Sequence, residues 1–265
     1  YIPNNLIQTI SIINIIDQGN QKNFLNSRNF IHIGKNSNCK IIYKEKSNHS
    51  SCINNISEIY IEDNAKLELA NITNKKNDSK QIYNCGVGLN TNAQLIYHAI
   101  DLSGKLIKNN YHINLNKPGG SCYFNGFNTA NNKDYIDNYV EIYHNAKHTI
   151  SDLNYNIISK NNATSILFAK AIIGENSSGC EAYQHNKNII LSKNSVIHAN
   201  PQLEIYNDDV KCAHGSATGQ IDDEAVYYMR SRGINEHDAQ KLILHSFLID
   251  IVNKVSADNL KMICR

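Results

Sequence analysis

Between Ile31 and Tyr206 the apolar residues of this chain fall in short every-second-residue runs, and the runs stop at a recurrent kind of corner. Ile59 and Ile61 alternate with polar neighbours, and after Glu62-Asp63-Asn64-Ala65-Lys66 the pattern resumes at Leu67 and Leu69. Successive strand side chains point to opposite faces, so such runs between Asn, Asp and Gly clusters predict β-strands. The corners are Asn64-Ala65, Asn92-Ala93, Asn145-Ala146, Asn162-Ala163, Asn176-Ser177 and Asn194-Ser195. Asn tolerates the left-handed conformation and bonds to its own backbone, which suits a tight corner. The last four are 17, 14 and 18 residues apart, as stacked coils of a parallel β-helix would place them. Spacing alone leaves an antiparallel sandwich open. The absence of intervening helical patterns disfavours an α/β fold. In the first thirty residues Leu6, Ile7, Ile10, Ile12, Ile13, Ile15 and Ile16 are apolar and mostly β-branched, which favours strands there too.

The periodicity changes at Ile221, dividing a β body (1–220) from a helical segment (221–265). Asp222, Asp223 and Glu224 suit a helix N-terminus. Ala225, Tyr228 and Met229 follow at helical spacing, and Gly233 is available to end the helix. A second helix is expected from Asn235, with Asp238 three residues on as in a capping box. Its apolar face is Ala239, Leu242, Ile243, Phe247, Ile249 and Val252. The expected result is two helices over 222–231 and 235–253, a hairpin appended to the end of the β body.

Bulk properties exclude several classes. The net charge is +2, from 26 basic and 24 acidic residues that are interspersed, so no nucleic-acid groove is expected. The seven cysteines (Cys39, Cys52, Cys85, Cys122, Cys180, Cys212, Cys264) are odd in number and form no CxxC pair. Unpaired thiols suit a reducing compartment, the cytoplasm or alternatively an organelle such as a plastid. No apolar run reaches the ~20 residues that cross a bilayer; the run 247–252 is broken by Asp250. No secretory signal is visible, and the chain opens at Tyr1 as a piece of a longer protein would. The abundance of Asn, Ile and Lys fits an AT-rich genome, so no chemistry is taken from the Asn count. Gly34-Lys35 and Gly104-Lys105 lack the rest of a phosphate-binding loop, Gly86-Val87-Gly88 lacks its third glycine, and no Gly-x-Ser-x-Gly elbow occurs.

Chemistry concentrates in PQLEIYNDDVKCAHGSATGQIDDEAVYYMRSRG, residues 201–233. On a strand over 204–215, Cys212 and His214 project to one side and Lys211 and Ala213 to the other. A thiolate and an imidazole together suit a soft metal or an iron–sulfur species, but they supply two ligands where a closed site takes about four. Without context, a Cys-x-His pair is more often structural. The other histidines, His112, His144, His148, His185 and His198, are read as packed or surface residues.

The segment resembles the C-terminal signature of the SufB/SufD family of iron–sulfur cluster assembly proteins, most like the SufD branch. Gly215 follows His214 where SufB-like members tend to carry Glu, and PQLEIYNDDVKC is the more SufD-like run. The resemblance implies a parallel β-helix with a short C-terminal helical segment. It also implies a non-catalytic subunit that pairs with a SufB-like scaffold through the β-helix ends and docks a SufC-like ABC ATPase on the helical segment. A transient cluster at the scaffold junction would take His214, with Cys212 beside it, and no cofactor would be tightly bound by the chain alone. The ATPase interface is expected at Tyr227, Arg230, Arg232 and Gly233, an aromatic–arginine cluster beside a tight turn. A homodimer is possible for the isolated chain. Family members usually carry an N-terminal helical region, to which no segment of this sequence is assigned; it is deleted, divergent or outside this sequence. The competing reading is a β-helix carbohydrate-active enzyme using Asp208-Asp209 and Asp222-Asp223. Adjacent strand residues face opposite ways, which argues against a shared carboxylate site.

Overall fold

The computed structural model describes residues 1–16, 23–47, 50–75 and 78–252. The strands are β1 (Ile7–Ile16), β2 (Asn23–Ile33), β3 (Asn38–Ser47), β4 (Ser51–Ile61), β5 (Lys66–Lys75), β6 (Lys80–Leu89), β7 (Gln94–Ser103) and β8 (Leu106–Leu115). They continue as β9 (Ser121–Ala130), β10 (Tyr135–His144), β11 (Ile150–Ser159), β12 (Thr164–Ile173), β13 (Cys180–Ile190), β14 (Val196–Ile205) and β15 (Val210–Gly219). Odd-numbered strands stack in one parallel sheet and even-numbered strands in another. The chain therefore winds as a parallel β-helix of two strands per coil. Ile7–Ile16 form β1, as the β-branched run there predicts.

Two strands per coil means two corners per coil. On the edge leading into the odd strands, the left-handed residues are Asn5, Asn36, Asn64 and Asn92, then Gly119, His148 and Gly179. Each coil is hydrogen-bonded to the next there: Asn36 N–H donates to the Asp63 carbonyl at 3.0 Å and Asn64 N–H to that of Thr91 at 2.8 Å. The side chains form a second ladder, with Asn36, Asn64 and Asn92 each donating to the Asn one coil earlier at 3.0, 3.2 and 3.2 Å. Steps of 28 to 31 residues separate these bonded pairs, so spacings of 14 to 18 correspond to half-coils. The ladder stops at Gly119 because a Cβ there would lie 2.1 Å from Asn92 Oδ1. Asn residues thus have a structural use that a genomic bias alone does not explain. The chain turns at all six corners, but only at Asn64 and Asn92 is the left-handed residue the Asn named from sequence.

The interior between the sheets is apolar along most of its length. Tyr97 stacks on Phe124 with centroids 5.2 Å apart, and Tyr111 meets both edge-on. A Cβ on Gly126 would lie 2.0 Å from the Tyr155 ring, so only glycine admits that ring. One interior seam is polar: Lys75 pairs with Glu45 at 2.9 Å with both side chains buried, and Asn109 donates to Asp101 and Asn138, each at 2.8 Å.

Helices follow as expected from the change at Ile221. Helix α1 (Asp223–Ser231) is capped by Asp222, whose Oδ1 accepts from Glu224 and Ala225 N–H at 2.9 and 3.3 Å. It ends with Gly233 at φ +89, Gly233 N–H bonding Arg230 O and Ile234 N–H bonding Met229 O, a Schellman arrangement. Helix α2 (Glu236–Val252) begins with the expected box, Asn235 Oδ1 accepting from Asp238 N–H at 2.9 Å; Asn253 lies outside the described residues. The pair is not simply appended to the end of the body. Leu244 and Phe247 pack on Ile42, Ile72, Ile100, Phe127 and Ile158, an apolar stripe on the outer face of the odd sheet, so α2 folds back along the coils.

Candidate functional site

The last coil is where the solenoid stops without a cover. β14 and β15 end their sheets, so each presents one edge with no partner strand among the described residues. β15 is largely exposed, because no further coil stacks on it. The strand expected over 204–215 is in fact broken at residues 206–209. Asn207 folds the chain there, donating to Glu175 O at 2.6 Å and accepting from Asp209 N–H at 3.0 Å. Cys212 and His214 remain together on β15.

Register fixes their direction. Below β15, strand β13 buries Cys180, Ala182, Gln184, Asn186 and Asn188 in strict alternation, and these pair with Val210, Cys212, His214, Ser216 and Thr218. Ser216 Oγ donates to Asn186 Oδ1 at 2.9 Å and Asn188 donates to Thr218 Oγ1 at 2.9 Å. On the opposite side, Lys211 pairs with Glu181 at 3.1 Å. Cys212 and His214 therefore share the interior side of the last strand, as the alternation predicts. Cys212 is half-buried against Ala171, Ile173, Cys180 and Ala182, while His214 is exposed. Burial raises the Cys212 thiol above its ordinary range, the Ala182 backbone bond opposing and the nearby Cys180 adding to the rise. At neutral pH it is a protonated thiol that must lose its proton to bind a metal. Among the described residues, no group of three or more His, Cys, Asp or Glu could hold a metal ion. The pair thus offers at most two donors, at the uncovered end of the coil.

The remaining predicted residues are placed separately. Tyr227 is 74% exposed on α1. Arg230 reaches Glu236 at 3.3 Å across the turn, and the Arg232 guanidinium lies 5.2 Å from the Tyr228 ring centre. With Gly233 they form the exposed α1–α2 corner. Of the carboxylates weighed for sugar chemistry, Asp208 and Asp209 lie in the β14–β15 turn, Asp222 caps α1 and Asp223 opens it. His144 is wholly buried, its Nδ1 bonded to Thr149 Oγ1 and its Nε2 to Ser151 Oγ, both at 2.8 Å. His148 is a left-handed corner residue. Both roles are structural, as expected. A cleft of 470 Å³ lies elsewhere, where α2 crosses Lys160, Leu191 and Ile221. Sequence reasoning missed Gln184 and Asn186, which lie directly beneath the site; they are 30 residues upstream of their partners, and only the coil register brings them there.

Comparison with known proteins agrees with this architecture. Residues 14–247 match the family described as SUF system FeS cluster assembly, SufBD core domain. The chain is 29% identical over 164 residues to the iron-sulfur cluster assembly protein SufD of Escherichia coli, covering 62% of this chain and 39% of that protein. It is 26% identical over 210 residues to an iron-sulfur cluster assembly SufBD family protein of Synechocystis, covering 78% and 46% respectively. A chloroplastic protein of Arabidopsis thaliana, ABCI7, is 22% identical over 202 residues, covering 76% and 42%. The chain thus spans less than half the length of these three relatives. With a parallel β-helix and two following helices among the described residues of the matched region, and a SufD-like signature across the last coil and α1, the chain belongs to the SufBD core family of iron–sulfur cluster assembly proteins.

Proposed function

We propose that the chain is a SufD-like, non-catalytic subunit of an iron–sulfur assembly complex. It pairs with a SufB-like scaffold through the uncovered β14–β15 end and presents the α1–α2 corner to a SufC-like ABC ATPase. The observation that supports this reading most is the placement of Cys212 and His214 on the interior side of the last strand, at an end where a partner's strands can continue the coil. Two free strand edges offer main-chain pairing. A partner seated there would also bring the ligands that two donors lack. The iron–sulfur cluster is cargo in this scheme, held transiently at the junction, with His214 lending an imidazole. Isolated chains would pair through the same edges as a homodimer. The cytoplasm suits the free thiols, and a plastid is the alternative suggested by the chloroplastic relative. No described helix is long and apolar enough to cross a membrane.

The test is reconstitution of clusters on the complex. His214→Ala should lower cluster formation roughly tenfold or more while association and folding persist, and Cys212→Ala should have a milder effect. Wild-type assembly by the His214→Ala complex would remove the histidine's role, and loss of association would make it an interface residue.

A further inference from the structure

Among the described residues three buried polar side-chain atoms have no hydrogen-bond partner: His98 Nε2, Tyr155 Oη and Gln184 Oε1. An unsatisfied buried acceptor costs about 1–3 kcal/mol, so each calls for a physical reason. His98 Nε2 lies 3.8 Å from Glu68 Oε1 on the outer face, and Tyr155 sits in the aromatic interior over Gly126. Gln184 differs in its location. It is only 2% exposed, and it occupies the β13 position whose register partner on β15 is His214. Its Nε2 donates to the Gln202 carbonyl of β14 at 3.2 Å. The amide is thus tethered by its nitrogen across the last coil, and its oxygen is left unpaired on the side that it shares with His214.

Adjacent parallel strands are ~4.8 Å apart, so Gln184 lies one strand spacing beneath His214, within side-chain reach of its imidazole. An imidazole that presents one nitrogen to a metal carries its proton on the other, and the acceptor of that proton fixes both tautomer and ring orientation. A neutral carboxamide oxygen can accept such a proton without adding charge to the site. We propose that Gln184 is the positioning residue for His214: when the imidazole engages iron at the covered end, its remaining N–H donates to Gln184 Oε1. This rests on His214 being a ligand, as proposed above. Gln184 itself touches neither cluster nor partner. The acceptor is held ready by the β13–β14 tether and becomes satisfied only when His214 turns inward over it.

The experiment is a cobalt(II) titration of the chain in complex with its scaffold partner, followed by the cobalt absorption bands and accompanied by thermal unfolding. Gln184→Leu should weaken cobalt binding about tenfold, within the 10–100-fold range typical of outer-shell partners. Gln184→Glu, protonated in this buried position, can donate its O–H to the Gln202 carbonyl and keep an acceptor oxygen for His214, so it should retain most of the wild-type cobalt affinity. A purely structural glutamine would lower the melting temperature of both variants and leave the cobalt affinity of the folded complexes unchanged. That outcome, or a Gln184→Glu complex as weak as Gln184→Leu, overturns the assignment. His214→Ala runs in parallel. If it binds cobalt as wild type does, the ligand reading fails, and the positioning role fails with it. If His214→Ala loses affinity and Gln184→Leu does not, only the positioning role is removed.

Discussion

The buried titratable residues show how position in the coil governs chemistry. His144 has both ring nitrogens committed to hydroxyl oxygens, and burial lowers it to about 4, the Thr149 backbone bond opposing. A folded value below the unfolded 6.5 means that the unfolded chain binds the extra proton between those limits. The stability that His144 contributes is therefore complete above pH 6.5 and is lost as pH falls through about 4. At ~1.4 kcal/mol per pH unit over about 2.5 units, roughly 3 kcal/mol of this is lost by pH 4. Denaturant unfolding at pH 7 and pH 4 should show wild type losing about that much more than His144→Gln; equal losses would contradict the account. Asp101 acts in the opposite sense. Burial raises it to about 6 against the pull of Thr73 and Lys75, so its contribution is present below pH 3.8 and is lost as pH rises through about 6. Replacing it with Asn, which mimics the neutral acid, should raise stability at pH 7 by about 1–3 kcal/mol, checked by the same denaturant curves.

Individual elements were legible from sequence wherever a local pattern dictates them. Period-2 runs gave the strands, the Asp222 and Asn235 caps gave the helix starts, and Gly233 gave the turn. What could not be read is what depends on stacking. The stripe of Ile42, Ile72, Ile100, Phe127 and Ile158 contributes one residue per coil, with no short-range period, so nothing in the chain announces that α2 will fold back onto it. Gln184 lies beneath His214 for the same reason. The break at 206–209 leaves a trace in the chain, since Ile205 and Val210 are five residues apart and fall out of phase, but the bond from Asn207 across to Glu175 that makes it depends on stacking. Phe247→Ala should release α2 from the odd sheet. The expected result is faster amide exchange in α2 with the solenoid protection unchanged, and protection of α2 at the wild-type level would contradict the packing. At the α1–α2 corner, Arg230→Ala and Arg232→Ala should weaken ATPase capture in a pull-down while leaving the β-sheet circular dichroism intact. Unchanged capture would move the docking surface elsewhere.

For the whole molecule, the fold is a linear stack in which strand pairing runs only between neighbouring coils of the same sheet, so stability is close to a sum over coils and their interfaces. The ends are unlike the middle: each carries two strand edges with no partner strand among the described residues, and the last one carries Cys212 and His214. The left-handed corners make this stack countable. Asn132 and Asn161 occupy the same corner one coil apart, at φ +57 and +61, and the chain on either side of each follows the same path. Excising residues 132–160 would join Asn131 to Asn161 and exchange one left-handed Asn for another, bringing β12 onto β8 and β13 onto β9. The shortened protein should still fold, with the Cys212–His214 end intact and the stack one strand spacing shorter, ~4.8 Å. Removing only 132–145 should abolish folding, because an odd strand would be sent to the even sheet. Length in such a protein comes in quanta: lineages can gain or lose whole coils without disturbing the last one, but cannot change by fractions of one.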